Sequence, residues 1–305
     1  MQFSKAETIE AVGDGLLSFP VTDFDSAGRF DEESYRKRLA WFVSHDISAV
    51  FVAGGTGEFF NLSLDEFRHI VRVAVDEIGG KVPIIASAGL SVESGKAFAS
   101  AAEEAGADGI LLMPPYLTEC PQDGLVEYAR QICDSTSINV IYYNRGNGVL
   151  EAPAVQQLAE KCPNLIGLKD GKGDMQLLNK IVKTVGNRLI YVGGVPTAEI
   201  FAEAYLSIGV NTYSSAVFNF VPELALKFYS ALRAGDSATV KKITQEFFIP
   251  FVDLRDRKKG YAVSLIKAGA DIIGMPAGDV RKPLVMPTSD ERDVLEKIIG
   301  KANEL

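Results

Sequence analysis

The feature that most constrains this chain is a series of eight short, almost unbroken apolar stretches. They read GLLSFPV (15–21), AVFVAGG (49–55), VPIIASAG (82–89), GILLMPP (109–115), NVIYYN (139–144), LIGLKD (165–170), RLIYVGG (188–194) and VNTYSSAV (210–217). Unbroken apolar character, as opposed to alternation, marks strands covered on both faces. Between the stretches lie segments such as DEESYRKRLAWFVSH, SLDEFRHIVRVAVDEI and SVESGKAFASAAEEAG. Their apolar residues recur at i, i+3, i+4 and i+7, so each can bury one helical stripe. Ser63, Ser91 and Thr197 stand where helix N-caps are expected, each with an acidic residue two or three positions on. Strand starts about 20 to 34 residues apart, alternating with helices, predict parallel βα units. An open doubly wound sheet competes, but eight well-spaced units favour closure into a TIM (β/α)8 barrel.

The barrel unit is expected over residues 1–235. Beyond it, SATVKKITQEFFIPFVDL, KGYAVSLIKAGADIIG and SDERDVLEKIIGKANE read as helices, a C-terminal extension over 236–305 packed on the barrel. Three cysteines, Cys120, Cys133 and Cys162, are too few and too scattered for a disulfide framework or a zinc site. A net charge of −9 offers no broad basic field for phosphates, which argues against a nucleic-acid partner. No stretch of 18 apolar residues and no apolar leader is present, so no membrane contact and a cytoplasmic location are expected.

Barrel enzymes place reacting groups at the C-terminal ends of the strands. Reading only those ends gives GGTGE (54–58), PPY (114–116), YYNR (142–145), Lys169-Asp170, Gly193-Gly194 and Ser214-Ser215. GGTGE lacks the spacing of a phosphate loop. Its glycines either serve a strand-to-helix turn or let backbone N–H groups around Thr56 approach a carboxylate. Tyr142 and Tyr143 fall on opposite sides of their strand, so only one can face the axis. Tyr143 reads either as a core tyrosine or as a functional phenol opposite Lys169. Lys169 closes an apolar run, and two readings stand open. Either it snorkels to water, or desolvation lowers its pKa and frees a nucleophilic amine.

Together, GGTGE, Pro-Tyr after strand four, Tyr-Asn after strand five and GLKD on strand six resemble the dihydrodipicolinate synthase / N-acetylneuraminate lyase family. The resemblance spans essentially the whole chain. It implies a class I Schiff-base enzyme for 2-oxo acids, with Lys169 forming the imine and Tyr143 shuttling protons. It implies a homo-oligomer, a tetramer of paired dimers, and no metal or organic cofactor. Gly55 and Thr56 would bind the 2-oxo acid carboxylate, with Tyr116 and Gly194 nearby in the substrate site.

The departures narrow the reading. The synthases carry a second threonine where this chain has Gly55, and a proline after Tyr-Asn where this chain has Arg145-Gly146-Asn147-Gly148. GGTGE with YNR.N and GLKDG.GD most resembles the branch that dehydrates and decarboxylates 5-dehydro-4-deoxyglucarate. Such a 2-oxo sugar diacid needs two anion sites, Thr56 with its loop for one end and Arg145 for the other. Ser215 and Asn147 are candidate donors to the leaving hydroxyl. An aldolase cleaving a 2-oxo-3-deoxy sugar acid with the same Lys169 and Tyr143 is the nearest alternative. A pyruvate-condensing synthase, a non-catalytic sugar-acid binder and a phosphate-binding isomerase barrel are weaker ones.

Overall fold

A computed structural model describes residues 2–116 and 119–305. Eight parallel strands close a barrel in chain order, β1 (Leu17–Ser18), β2 (Ala49–Phe51), β3 (Ile84–Leu90), β4 (Gly109–Pro115), β5 (Asn139–Asn144), β6 (Leu165–Asp170), β7 (Ile190–Gly193) and β8 (Thr212–Ser215). β1 seals the barrel against β8, with Leu17 paired to Ser214 and Ser18 to Ser215. The expected α/β TIM barrel is therefore the observed fold. Nearly every strand residue is buried, as strands walled by helices must be.

A short helix α1 (Lys5–Gly13), not anticipated in the sequence, precedes β1. The barrel helices are α2 (Glu32–Phe42), α3 (Leu64–Ile78), α4 (Val92–Ala105), α5 (Gln122–Cys133), α6 (Ala152–Lys161), α7 (Met175–Val185), α8 (Ala202–Ser207) and α9 (Pro222–Ala234). Ser63 caps α3 in a reciprocal box with Glu66, and Ser91 caps α4. Thr197 departs from the cap reading. It has φ 54 and ψ 60, caps nothing with its side chain, and instead accepts a hydrogen bond from Arg255.

The tail holds α10 (Ser237–Ile243), a π-helical turn over Thr244–Phe248, α11 (Ile249–Arg255), α12 (Tyr261–Ile272) and α13 (Ser289–Ala302). Phe247, Phe248, Phe251, Leu254 and Leu265 belong to the same continuous apolar core as the barrel. Among the described residues no helix is long and apolar enough to cross a membrane.

Candidate active site

The C-terminal ends of the strands surround a cavity of about 460 Å³. Lys169, near the end of β6, enters it from below and is only 4% exposed. Its Nζ donates to the Gly194 carbonyl at 3.2 Å and lies 4.0 Å from the centroid of the Tyr143 ring. The Phe19 ring covers it from another side at 5.0 Å. A cation between two ring faces is attracted to them, yet it has surrendered its water. Burial therefore pushes the Lys169 pKa below the ordinary lysine value, with Tyr143 partly opposing and Arg145 assisting.

Tyr143 sits beside Lys169 in register across β5 and β6. Its hydroxyl donates to Gly194 O at 2.8 Å and accepts from Arg145 Nη1 at 2.9 Å. Burial alone would raise its pKa, but the charges of Lys169 and Arg145 and their hydrogen bonds together bring it below that of free tyrosine. Phenol and amine thus meet on one carbonyl, each donating to it. Tyr142 points the other way, as alternation requires, and donates to Gly148 O at 2.7 Å.

Gly194 admits no side chain. A Cβ there would lie 2.5 Å from both Cγ and Nζ of Lys169 and 2.7 Å from Asp170 O. Gly55 and Thr56 line the cavity from the loop after β2, and Arg145 from the loop after β5. The loop after β2 begins with Ala53 at φ 48 and ends with Glu58 at φ 58.

Three residues singled out in the sequence are not brought to the cavity. Ser215 is fully buried and donates to Glu199 Oε1 at 2.7 Å, while its neighbour Ser214 lines the cavity. Asn147 donates to Pro115 O at 2.9 Å, tying the loop after β5 to the end of β4. Tyr116 is 91% exposed, standing outside the cavity wall.

Other lining residues carried no functional signal in the sequence. Phe19 comes from the loop after β1, Thr197 from the loop after β7, and Phe251, Arg255, Val263 and Ile266 from the tail. Among the described residues the lining contains no Asp or Glu, while Arg145 and Arg255 bring guanidinium groups and Lys169 an amine. Such a set favours an anionic guest. Among the described residues, no group of three or more His, Cys, Asp or Glu could hold a metal ion.

A closed (β/α)8 barrel with a cavity at the C-terminal ends of its strands, and a buried lysine lining it, is the architecture of a barrel enzyme. The chain matches the Dihydrodipicolinate synthetase family over residues 13–302 and belongs to that family of enzymes. It is 50% identical over 300 residues to a Ralstonia nicotianae protein named "Probable 5-dehydro-4-deoxyglucarate dehydratase", covering 98% of this chain and 96% of the relative. A Rhizobium meliloti protein of the same name is 52% identical over 296 residues, covering 97% of this chain and 98% of the relative. Among solved structures, dihydrodipicolinate synthase from Oceanobacillus iheyensis superposes with a TM-score of 0.90 at 22% identity, covering 98% of this chain and all of that one. That likeness concerns the fold alone.

Proposed function

We propose that this protein is a class I Schiff-base lyase that converts 5-dehydro-4-deoxyglucarate into 2,5-dioxopentanoate, water and carbon dioxide. The observation that carries it is the buried Lys169 amine, 4.0 Å from the Tyr143 ring centroid and sharing the Gly194 carbonyl with its hydroxyl, in a cavity whose lining, among the described residues, has no carboxylate. The name borne by relatives at about half identity supplies the substrate.

In this reading Lys169 attacks the ketone at C5, and loss of water gives a protonated imine that serves as the electron sink. Tyr143 moves protons between amine, carbinolamine and C4. Removal of a C4 proton gives an enamine, which expels the C3 hydroxyl as water. The C1–C2 bond then breaks, its electrons forming C2=C3, shifting C3=C4 to C4=C5 and ending on the iminium nitrogen, and carbon dioxide is released. Protonation of the dienamine and hydrolysis return Lys169 and free the product. Thr56 and its loop hold the carboxylate beside the imine, and Arg145 reaches the far one with the guanidinium nitrogens not bonded to Tyr143. We carry the resemblance further to a cytoplasmic location and a homotetramer, and light scattering on the purified enzyme tests the tetramer.

The test is to incubate the protein with 5-dehydro-4-deoxyglucarate, following carbon dioxide and 2,5-dioxopentanoate, with a borohydride-quenched sample for mass spectrometry. Both products with a reduced adduct on Lys169 are expected. An adduct with pyruvate release in place of carbon dioxide would move the reaction to the aldolase alternative. No adduct with this acid or with pyruvate would end the Schiff-base reading.

A further inference from the structure

Gly193 ends β7 and Gly194 follows it, and a different side chain fills the space beside each. Register pairs Lys169 with Val192 and Asp170 with Gly193, so Lys169 and Asp170 point to opposite sides of the barrel wall. On the cavity side, Lys169 takes the place a Gly194 side chain would need. On the outer side, a Cβ on Gly193 would lie 2.5 Å from Cε2 and 2.6 Å from Cδ2 of Tyr205, in α8. Two glycines in a row let an amine and a phenol ring press on one stretch of backbone from both faces.

The proposed reaction gives Tyr205 no part, and neither Tyr205 nor Asp170 lines the cavity. Both are buried, and the Tyr205 hydroxyl donates to Asp170 Oδ2 at 2.7 Å. Asp170 Oδ1 accepts from Lys172 N at 3.0 Å, and Gly173 N lies 3.2 Å from both oxygens. The Gly194 and Val195 N–H groups turn toward the Tyr205 hydroxyl oxygen. Burial, with Asp170 adding to it, holds the Tyr205 pKa well above the 10.0 of free tyrosine. The hydroxyl therefore keeps its hydrogen for Asp170 and offers its lone pairs to the backbone. The Val195 N–H and the Gly194 carbonyl belong to one planar peptide unit, so holding the first fixes the direction of the second. A chain of hydrogen bonds thus runs from the Asp170 carboxylate through Tyr205 and this peptide to the Gly194 oxygen. There Lys169 Nζ and Tyr143 Oη both donate, at 3.2 and 2.8 Å. Such chains polarise along their length, and a carboxylate at one end makes the oxygen at the other a stronger acceptor.

We infer that Tyr205, anchored by Asp170, is a positioning residue that fixes and polarises the Gly194–Val195 peptide, whose carbonyl seats Tyr143 and Lys169 for proton transfer. This rests on the Schiff-base reading and adds to it a support on the far side of the barrel wall, away from the substrate. Tyr143 makes the shorter of the two bonds to that carbonyl, so the effect passes chiefly through Tyr143.

The experiment follows consumption of 5-dehydro-4-deoxyglucarate by wild type, Y205F, Y143F and the double variant, with borohydride trapping on Lys169 alongside. Y205F keeps the ring against Gly193 and removes only the hydroxyl. Its kcat should fall about tenfold, the worth of one buried hydrogen bond, with KM within about twofold of wild type. In the Y143F background the phenol to be seated is gone, and the same substitution should cost at most about threefold. An equal loss in both backgrounds would reveal a merely structural tyrosine and overturn the inference. An unchanged kcat in Y205F, or a loss carried by KM alone, would overturn it too. D170N runs through the same cycle, so that the answer does not hang on the folding of one variant. Its remaining oxygen serves the Lys172 and Gly173 N–H groups, while its amide removes the acceptor of Tyr205. It should show the same dependence on Tyr143, and wild-type kcat in D170N would overturn the inference. Wild-type protein that neither consumes nor traps the acid would overturn the Schiff-base reading, and this inference with it.

Discussion

In the proposed Schiff-base reaction Lys169 acts through the fraction of its side chain that is neutral, and its surroundings set that fraction. The Phe19 and Tyr143 faces replace water around Nζ, so the folded amine releases its proton below the ordinary lysine value of 10.5. The neutral amine therefore grows as pH rises, and its half-point lies lower than in a solvated lysine. Cyanoborohydride trapping of pyruvate should speed up with pH and level off clearly below 10.5. A plateau reached only above 10.5 would contradict the desolvated environment, and K169A should show no adduct at any pH. Tyr143→Phe keeps the ring under the amine but loses the hydroxyl. Turnover should then fall about 10²–10⁴-fold, the usual worth of a positioned acid–base group, while trapping persists. Full activity in Y143F would remove the proton-shuttle role. Gly194→Ala tests the same spot by crowding. Its methyl would meet Lys169 Nζ at 2.5 Å, so the amine must move, and trapping should fail in a protein whose far-ultraviolet dichroism is unchanged.

The loop from Gly194 to Phe201 is the element on which these contacts depend, and it is braced from two directions. Arg255 holds it at Pro196 and Thr197, and Ser215 holds it at Glu199. Glu199 is fully enclosed, and burial raises its pKa from 4.5 to about 7, against the pull of the Ser215 hydrogen bond. Because the folded value lies above the unfolded one, the folded state keeps its proton longer. The associated stability is complete below pH 4.5, declines as pH rises, and is lost once pH passes about 7. The swing is about 3 kcal/mol. Glu199→Gln keeps the Ser215 contact and cannot ionise. Urea unfolding should find the mutant losing less stability than wild type between pH 5 and pH 8, by about that amount. Parallel pH profiles would show that Glu199 does not titrate in this window. Much at this scale was legible beforehand. Parallel strands buried on both faces leave unbroken apolar runs, and a lysine ending such a run stands out. Which of Ser214 and Ser215 faces the cavity was not legible, because alternation along a four-residue strand gives two phases and no local signal chooses one. Thr197 and Arg255 were missed for a different reason. They are 58 positions apart, and they meet only through the way the tail folds back.

At the scale of the whole molecule, the tail helices complete the cavity, and buried charges tie them to the barrel. Glu58, the last residue of GGTGE, pairs with Lys267 of α12 at 3.0 Å, both side chains being fully buried. The same carboxylate accepts from the Arg281 backbone and from Asn61. Nearby, Arg38 of α2 binds Asp23 through two nitrogens and donates to Met275 O, while Phe24 N donates to Ala277 O. The loop that lines the cavity with Gly55 and Thr56 is thus pinned at its far end by the helix that contributes Ile266. We propose on this ground that residues 236–305 unfold together with the barrel and not as a separate unit. Breaking one side of a buried ion pair leaves the other charge uncompensated, at a cost of about 3–5 kcal/mol. Glu58→Gln and Lys267→Met should each destabilise by about that amount, and the double substitution by less than their sum, with a coupling of at least about 1 kcal/mol. Chemical unfolding should be followed by tail and barrel probes separately, using Trp41 in α2 and a fluorophore attached to α13. If the tail signal melts first in E58Q while Trp41 stays native, the two parts are separable and the boundary near residue 235 is a true domain border. Coincident transitions in all three variants mean that the pair stabilises one cooperative body, in which the loop after β2 and the tail wall of the cavity exist only together.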